Sequence, residues 1–251
     1  MMLDVDGVVF GYRSRDVIRD IGFRVSQHEV LAILGPNGVG KTTLLKCMNA
    51  ILRPKAGTVL VDTEDIMRLG QPEIAKKIGY VPQRCETGRL TAFDAVLLGR
   101  KPHITWNASD HDIRLVEAAL RRFDMEALSL RYIDELSGGE LQKVSIARAV
   151  VQEPRVMLLD EPTSSLDLKN QMEILRLIRG VVRGHPVSAV MTMHDLNLAL
   201  RYADACIFLK NGTIYAAKPR DKVTAADIEE VYGVPVSIET CHGHPVVVPV
   251  G

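Results

Sequence analysis

The sequence predicts an α/β protein in which a parallel β-sheet carries helices on its faces. One observation is the continuous apolar run VLAIL, Val30–Leu34, which is typical of a strand covered on both sides. Another is the regular order of helix, strand, helix, strand in the second half of the chain. That order is typical of βαβ units, whose strands pair in parallel.

The composition is that of an ordinary globular chain. Of 251 residues, 47% are hydrophobic and 25% are charged, so the chain can bury a substantial core. Lys plus Arg and Asp plus Glu both total 31, which argues against a dedicated nucleic-acid binder. Four scattered cysteines without a CxxC pair indicate reduced thiols and a cytosolic location. No apolar run approaches the roughly 20 residues of a membrane span, and the acidic N-terminal residues are unlike a secretory signal. At a membrane, we would expect another chain to supply the spans.

The N-terminal part is predicted to hold mostly strands. Partial alternation of β-branched and aromatic residues marks the first two strands, and glycines separate the third from a helix. The predicted strands are Met2–Phe10, Val17–Val25, Val30–Leu34, Thr58–Val61 and Ile78–Val81, and the predicted helices are Lys41–Ala50 and Glu73–Lys77.

Residues 84–153 show helical rather than strand-like patterns of apolar residues and are predicted to form a mostly helical lobe inserted in the core. Ser109 or Asp110 is suited to cap a helix there. The apolar positions of that helix follow helical spacing at Ile113, Val116, Leu120 and Phe123. We expect segments 1–83 and 154–251 to form the rest of one single domain.

The C-terminal part is predicted to alternate between helices and strands. The predicted elements are helix Gly138–Val151, strand Val156–Leu159, helix Leu168–Val182, strand Val187–Met193, a hairpin of Cys206–Leu209 and Thr213–Ala217, helix Ala225–Tyr232, and strands Val236–Thr240 and Val246–Val250. Cys241, His242 and His244 are metal ligands by type. The alternative, a hairpin turn at Gly243-His244-Pro245, is favoured by the flanking strands.

A glycine-rich loop follows the third strand and has the spacing G-x-x-x-x-G-K-T. In this context, backbone N–H groups surround the β- and γ-phosphates of a nucleotide, the lysine adds a positive charge, and the threonine hydroxyl reaches Mg²⁺. An incidental glycine turn would not need all of these positions. The predicted ATP-binding residues are Gly35, Pro36, Asn37, Gly38, Val39, Gly40, Lys41, Thr42 and Thr43.

Two carboxylates end the apolar strand VMLLDE, at Asp160 and Glu161. Ligands of open α/β sheets gather at such strand ends. We predict that Asp160 holds Mg²⁺ and that Glu161 orients and deprotonates the attacking water. Pro162 disfavours helical geometry at the preceding residue, so Glu161 is predicted to be extended. The competing interpretation is an acidic strand end that caps a helix.

Three further residues are weak signals when each is taken alone. His194 ends an apolar strand and could contact the γ-phosphate, although a structural histidine is equally consistent. Gln83 follows another strand and could contact Mg²⁺ and the water. Tyr12 could stack on a purine ring, but a core or rim tyrosine is the simpler interpretation.

Together, these motifs resemble the nucleotide-binding subunit of ABC transporters over nearly the whole chain. That resemblance implies a P-loop NTPase fold with a parallel-sheet core, an N-terminal antiparallel β-subdomain and an inserted α-helical subdomain. In that resemblance, Tyr12 is the adenine-stacking residue and Gln83, Glu161 and His194 are the catalytic group. The resemblance implies that LSGGE, Leu136–Glu140, is the signature, with glutamic acid in place of the usual glutamine. It implies two ATPase domains paired head to tail around ATP, as a homodimer that binds transmembrane permease subunits. Residues implied to bind ATP in trans are Ser137, Gly138, Gly139 and Glu140, and those implied to communicate across the dimer are Ser165 and Asp167.

The stretch TAFDAVLLGRKPH, Thr91–His103, and the C-terminal tail resemble ATPases of metal-chelate importers. That resemblance implies uptake of a ferric siderophore, haem or cobalamin, a permease docked after Gln83, an external substrate-binding protein, and a place on the cytoplasmic face of the membrane. Alternatively, Arg100, Pro102 and Trp106 only pack or decorate the helical lobe. An exporter ATPase and a soluble ATPase of iron–sulfur assembly stay open as alternatives.

Overall fold

The computed structural model describes residues 1–13, 15–83 and 88–250. Its strands are β1 Leu3–Tyr12, β2 Arg15–Val25, β3 Val30–Leu34, β4 Ala56–Val61, β5 Glu64–Asp65, β6 Ile78–Val81, β7 Val156–Asp160, β8 Ser188–Thr192, β9 Ala205–Lys210, β10 Thr213–Pro219, β11 Val236–Cys241 and β12 His244–Pro249. Its α-helices are α1 Lys41–Met48, α2 Gln71–Lys77, α3 Ala92–Leu97, α4 Asp110–Arg122, α5 Gly138–Val151, α6 Leu168–Gly184, α7 Leu196–Tyr202 and α8 Ala225–Tyr232.

The central sheet has the strand order β10-β9-β3-β8-β7-β6. Neighbouring strands from β9 to β6 pair in parallel, and only β10 is antiparallel. The predicted parallel core is therefore confirmed. Because parallel strands all end at the same edge, the residues after β3, β6, β7 and β8 meet there. The loop after β3, Gln83, Glu161 and His194 all follow these strand ends.

Both faces of the central sheet are covered, as the continuous apolar runs predict. In β3, Leu31 and Ile33 belong to one core and Ala32 and Leu34 to the other, since successive side chains of a strand point to opposite faces. The first core also contains α1 and a second sheet of order β2-β1-β4-β5, whose strands are antiparallel. This second sheet is the predicted N-terminal antiparallel unit.

The other core holds the helices that lie between β6 and β7 in sequence. Ser109 is the N-cap of helix α4, and its side chain accepts a hydrogen bond from the N–H of Asp112, as the capping signal predicts. Arg100 follows α3 and is almost fully buried, with an ion pair of 2.8 Å to Asp112 and another of 2.7 Å to Glu153. Arg100 therefore packs inside the helical lobe, whereas the Trp106 side chain is 93% exposed.

The C-terminal segment folds back onto the core. The β11–β12 hairpin pairs Cys241 with His244, so its turn is His242-Gly243, both with positive φ. The prediction of a turn at Gly243-His244-Pro245 is wrong by one residue, because His244 and Pro245 belong to β12. Asn197 on α7 holds this hairpin, accepting a hydrogen bond of 2.7 Å from the N–H of Val247. Among the described residues, none of the helices has the length and apolarity that crossing a bilayer requires.

Candidate active site

The glycine-rich loop joins β3 to α1, and its glycines have backbone angles that other residues rarely adopt. Gly35 has a φ of 145° and Gly40 a φ of 111°. A Cβ atom on Gly35 would lie 2.6 Å from the carbonyl oxygen of Leu209, and one on Gly40 would lie 2.8 Å from a methyl group of Ile18. Both positions therefore need glycine, for conformation and for space. Gly40 directly precedes α1, so free N–H groups lie at the start of that helix.

Lys41 is the first residue of α1, and its side chain is buried under the loop. Its Nζ atom donates hydrogen bonds to the carbonyl oxygens of Gly35 at 2.7 Å and Pro36 at 3.2 Å. Burial lowers the pKa of Lys41, while the carboxylates of Glu161 and Asp160 oppose that shift. The amine therefore lies where the loop would hold phosphate oxygens.

Asp160 ends β7 and is fixed by two hydroxyl groups. Its Oδ1 atom accepts hydrogen bonds from Thr42 at 3.0 Å and from Thr192, the last residue of β8, at 2.8 Å. Oxygen ligands of this kind fit Mg²⁺. Thr192 was not predicted as a site residue. The signal that could have found it is a polar residue at the end of an apolar strand, two positions before His194.

Glu161 lies between the two other residues predicted to be catalytic. Gln83 donates a hydrogen bond of 2.6 Å from Nε2 to Oε2 of Glu161, and His194 donates one from Nε2 to Oε1. The prediction that Glu161 is extended is wrong, since its φ is 48°, in the left-handed region. Its N–H donates to the Thr192 hydroxyl at 2.8 Å, which holds this unfavourable backbone angle in place.

A cleft of about 1170 Å³ lies beside the glycine-rich loop. Tyr12 lines it and is 55% exposed, with its ring edge-to-face against Phe10 at a centroid distance of 5.0 Å. The cleft is also lined by Arg15, Asp16, Val17, Arg19, Pro36, Asn37, Gly38, Val39, Lys210, Asn211, Gly212 and Val231. An exposed aromatic face next to a phosphate-binding loop suits a nucleobase.

The predicted signature residues form the start of α5. Ser137 is the N-cap, and its hydroxyl accepts from the N–H of Glu140. A Cβ atom on Gly139 would lie 2.8 Å from the side chain of Asn170, so α5 and α6 touch closely at their N-terminal ends. Among the described residues, no hydrogen bond joins Ser137–Glu140 to Lys41, Glu161 or His194.

The two residues predicted to communicate across a dimer lie just before α6. Ser165 has a φ of 63°. Asp167 is the N-cap of α6 and accepts a hydrogen bond of 2.8 Å from the N–H of Asn170. Within a single chain, Asp167 therefore acts as the N-cap of α6.

Tyr232 contacts the glycine-rich loop and was missed by sequence reasoning. Its hydroxyl accepts a hydrogen bond from the N–H of Gly35, the first residue of that loop.

Within the described residues, no group of three His, Cys, Asp or Glu side chains could hold a metal ion. Cys241 and His244 pair across the β11–β12 hairpin, and His242 lies in its turn. Cys85 lies outside the described residues, and the other three cysteines are free thiols.

Comparison with known proteins gives a consistent family. Residues 18–164 match the family model described as ABC transporter. An uncharacterized ABC transporter ATP-binding protein of Methanocaldococcus jannaschii is 55% identical over 251 residues, which cover 100% of this chain and 99% of that protein. The ferric enterobactin transport ATP-binding protein of Escherichia coli is 35% identical, over 97% of this chain and 92% of its own. The phosphonates import ATP-binding protein of Haloarcula marismortui is 34% identical, over 92% of this chain and 89% of its own.

Solved structures agree with this similarity. A metal-chelate type ABC transporter in an inward-facing conformation is similar with a TM-score of 0.87 and 28% identity, covering 100% of this chain and 97% of that one. A dimeric ATP-binding cassette in a post-hydrolysis state, bound to ADP and Pi, is similar with a TM-score of 0.77 and 26% identity. The second match covers 87% of this chain and 99% of that cassette.

Proposed function

Because this chain belongs to the ABC transporter family of ATP-binding proteins and is an ATPase, we propose that it powers an importer of metal chelates. Its cargo would be a ferric siderophore, haem or cobalamin. One observation carries the proposed chemistry: the Glu161 carboxylate is hydrogen-bonded by both Gln83 and His194. The residue before it, Asp160, is hydrogen-bonded by Thr42.

In this proposal, the residues around the loop bind and orient ATP. The adenine stacks on Tyr12, and the loop N–H groups with Lys41 hold the β- and γ-phosphates. Glu161 takes a proton from the attacking water, whose oxygen bonds to the γ-phosphorus as the bond to ADP breaks. Gln83 and His194 orient the Glu161 carboxylate, and His194 faces the γ-phosphate.

Mg²⁺ is part of the proposed site. Thr42 and Asp160 would hold it, because their oxygens lie 3.0 Å apart, at the start of α1 and the end of β7. The ion would neutralise charge on the phosphate oxygens. Gln83 is proposed as a further contact, although in the described structure its amide nitrogen bonds to Glu161.

We further propose that two copies of this chain pair head to tail around ATP. Ser137, Gly138, Gly139 and Glu140 of one copy would face the γ-phosphate bound by the other copy, and Ser165 and Asp167 would lie at the interface. Support comes from the exposed signature serine and from the similar dimeric cassette. One intact set of motifs favours identical subunits.

The import direction and the cargo rest on similarity. The metal-chelate type transporter and the ferric enterobactin protein favour a metal chelate, as does the Thr91–His103 stretch. The phosphonate import protein is nearly as similar, so overall identity does not decide the cargo. An exporter ATPase would share every catalytic residue, and an iron–sulfur assembly ATPase is the soluble alternative.

We propose that the helical lobe docks on a transmembrane permease, which would place the chain at the cytoplasmic face of the membrane. Exposed apolar side chains of this lobe are available for that contact, including Trp106, Leu98 and Leu130. A substrate-binding protein would be an indirect partner, and no nucleic acid is needed. Arg100 takes no part in docking because it is buried in its own ion pairs.

The experiment is affinity purification from native membranes with Mg²⁺ and ATP. The tagged Glu161→Gln variant would be compared with a tagged Lys41→Ala variant, which should bind ATP poorly but keep the lobe surface. We expect Glu161→Gln to co-purify with a polytopic permease and a substrate-binding protein. A permease found without a binding protein would favour export, and soluble scaffold proteins alone would overturn the transport role.

A further inference from the structure

The serine of the signature donates its only hydroxyl proton within its own chain. The Ser137 hydroxyl donates a hydrogen bond of 2.7 Å to Oε2 of Glu140, and the Ser137 N–H donates one of 2.8 Å to the same oxygen. The N–H of Glu140 returns a hydrogen bond to the hydroxyl at 3.4 Å. This closed capping box therefore occupies the one hydroxyl proton that Ser137 can offer to a phosphate.

The capping group is an anion beside the place where another anion would bind. Hydrogen bonds from Ser137 lower the pKa of Glu140, so its carboxylate is charged at neutral pH. A phosphate oxygen that accepts the Ser137 proton would lie within about 5.5 Å of Glu140 Oε2, because Oε2 lies 2.7 Å from Oγ and is also held by the Ser137 N–H. Two negative charges at that separation repel each other.

We infer that Glu140 restrains the ATP-driven pairing of two chains by competing with the γ-phosphate for Ser137. The inference rests on the proposed head-to-tail dimer. Before Ser137 can donate to the partner's ATP, the Glu140 carboxylate must lose its hydrogen bond from the Ser137 hydroxyl. It must also come close to the negative charge of the γ-phosphate. A glutamine at this position would keep a capping oxygen and remove the charge. Glu140 is thus a positioning residue that raises the ATP concentration needed for pairing.

The test uses the full chain with Glu161→Gln, which blocks hydrolysis, and measures dimer formation by sedimentation as Mg-ATP is titrated. Adding Glu140→Gln is expected to lower the half-saturating ATP concentration by about three- to tenfold. The matched control is Glu73→Gln, which changes another capping-box glutamate, one that accepts from the N–H of Gly70 at 2.7 Å. That control should leave the titration unchanged.

A structural role alone would not respond to salt, so the titrations are repeated at low and high ionic strength. The gain from Glu140→Gln should shrink at high salt, because charge repulsion is screened. The gain from Glu140→Gln should also shrink in the Ser137→Ala background, because that variant has no hydroxyl proton for which the carboxylate and the phosphate can compete.

The possible results separate the two claims. Equal half-saturating concentrations with and without the Glu140→Gln change at low salt would overturn the role of Glu140 while the dimer stands. A Glu161→Gln chain that stays monomeric at saturating ATP would overturn the dimer itself, and this inference with it.

Discussion

The Tyr232 hydroxyl accepts a hydrogen bond of 2.9 Å from the backbone N–H of Gly35. This contact ties the last helix, α8, to the first residue of the glycine-rich loop, 197 positions earlier in sequence. Burial raises the pKa of Tyr232 to about 12, so the hydroxyl stays neutral at physiological pH. The C-terminal helix thereby fixes the start of the phosphate-binding loop.

We expect Tyr232→Phe to raise the KM for ATP by about three- to tenfold while changing kcat less than about twofold. The phenylalanine keeps the packing but leaves the Gly35 N–H without its partner, at a cost of about 1–2 kcal/mol. Steady-state ATPase assays would measure both constants. Tyr215→Phe, at a tyrosine that is 46% exposed, is the control, and an unchanged KM in Tyr232→Phe would contradict the role of the hydrogen bond.

Replacing Glu161 with Gln is expected to lower kcat by about 10²–10⁴-fold, because the amide cannot take a proton from water. ATP binding should stay within a few-fold of wild type, since Lys41 and the loop are untouched. Calorimetry would measure binding and phosphate release would measure turnover. Glu239→Gln, on the exposed hairpin, should leave both quantities unchanged, and substantial turnover by Glu161→Gln would exclude Glu161 as the base.

Asp112→Asn is expected to lower the free energy of unfolding by about 1.5–3 kcal/mol at pH 7, because it removes the charged 2.8 Å partner of the buried Arg100 guanidinium, which keeps its 2.7 Å ion pair with Glu153. Hydrogen bonds from Ser109 and Arg100 hold the pKa of Asp112 below its ordinary value. A depressed pKa stabilises the fold above the unfolded pKa of about 3.9. The wild-type advantage should therefore be constant from about pH 6 to 8 and shrink as the pH falls below about 4.

Chemical denaturation at several pH values would test this prediction. The control is Glu126→Gln, which removes an exposed ion pair of 3.4 Å with Arg121 and should cost less than about 1 kcal/mol. An equally small effect of Asp112→Asn would show that the buried pair contributes little.

Gly139→Ala is expected to destabilise the chain, although alanine favours helices by about 1 kcal/mol. The new methyl group would lie 2.8–3.1 Å from side-chain atoms of Asn170, which is too close for ordinary contact. At Gly138 the same methyl group would meet only Leu166, at 3.8 Å, so Gly138→Ala should be neutral or stabilising. Thermal unfolding compares the two variants, and Asn170→Ala should rescue Gly139→Ala. Equal behaviour of both glycine variants would contradict the close contact.

Much of the fold could be predicted because it depends on local patterns. The apolar run of β3 and the helical spacing of α4 are visible within a few residues. The short helices α3 and α7 were not predicted individually, since six or seven residues give too little periodicity. Helix α6 extends two residues beyond its predicted end, to Gly184.

The site was predictable where one short motif carries the chemistry, as in the loop ending at Thr42. Thr192 and Tyr232 were not predictable in this way. Each acts through a residue more than thirty positions away, and such a contact depends on the order of strands in the sheet. The left-handed backbone of Glu161 was missed for the same reason, because the Thr192 hydroxyl that supports it lies on the neighbouring strand.

Helix α6 touches other helices near both of its ends. Near its start, Asn170 meets Gly139, and Glu173 pairs with Lys143 at 2.5 Å. Near its end, the carbonyl oxygen of Gly180 accepts a hydrogen bond of 2.7 Å from Arg122 on α4. With 17 residues, the helix is about 25 Å long. Because α6 contacts α5 near its start and α4 near its end, a partner that displaced Asp167 at its N-terminus would move the helix as one rigid unit and shift α4 with it.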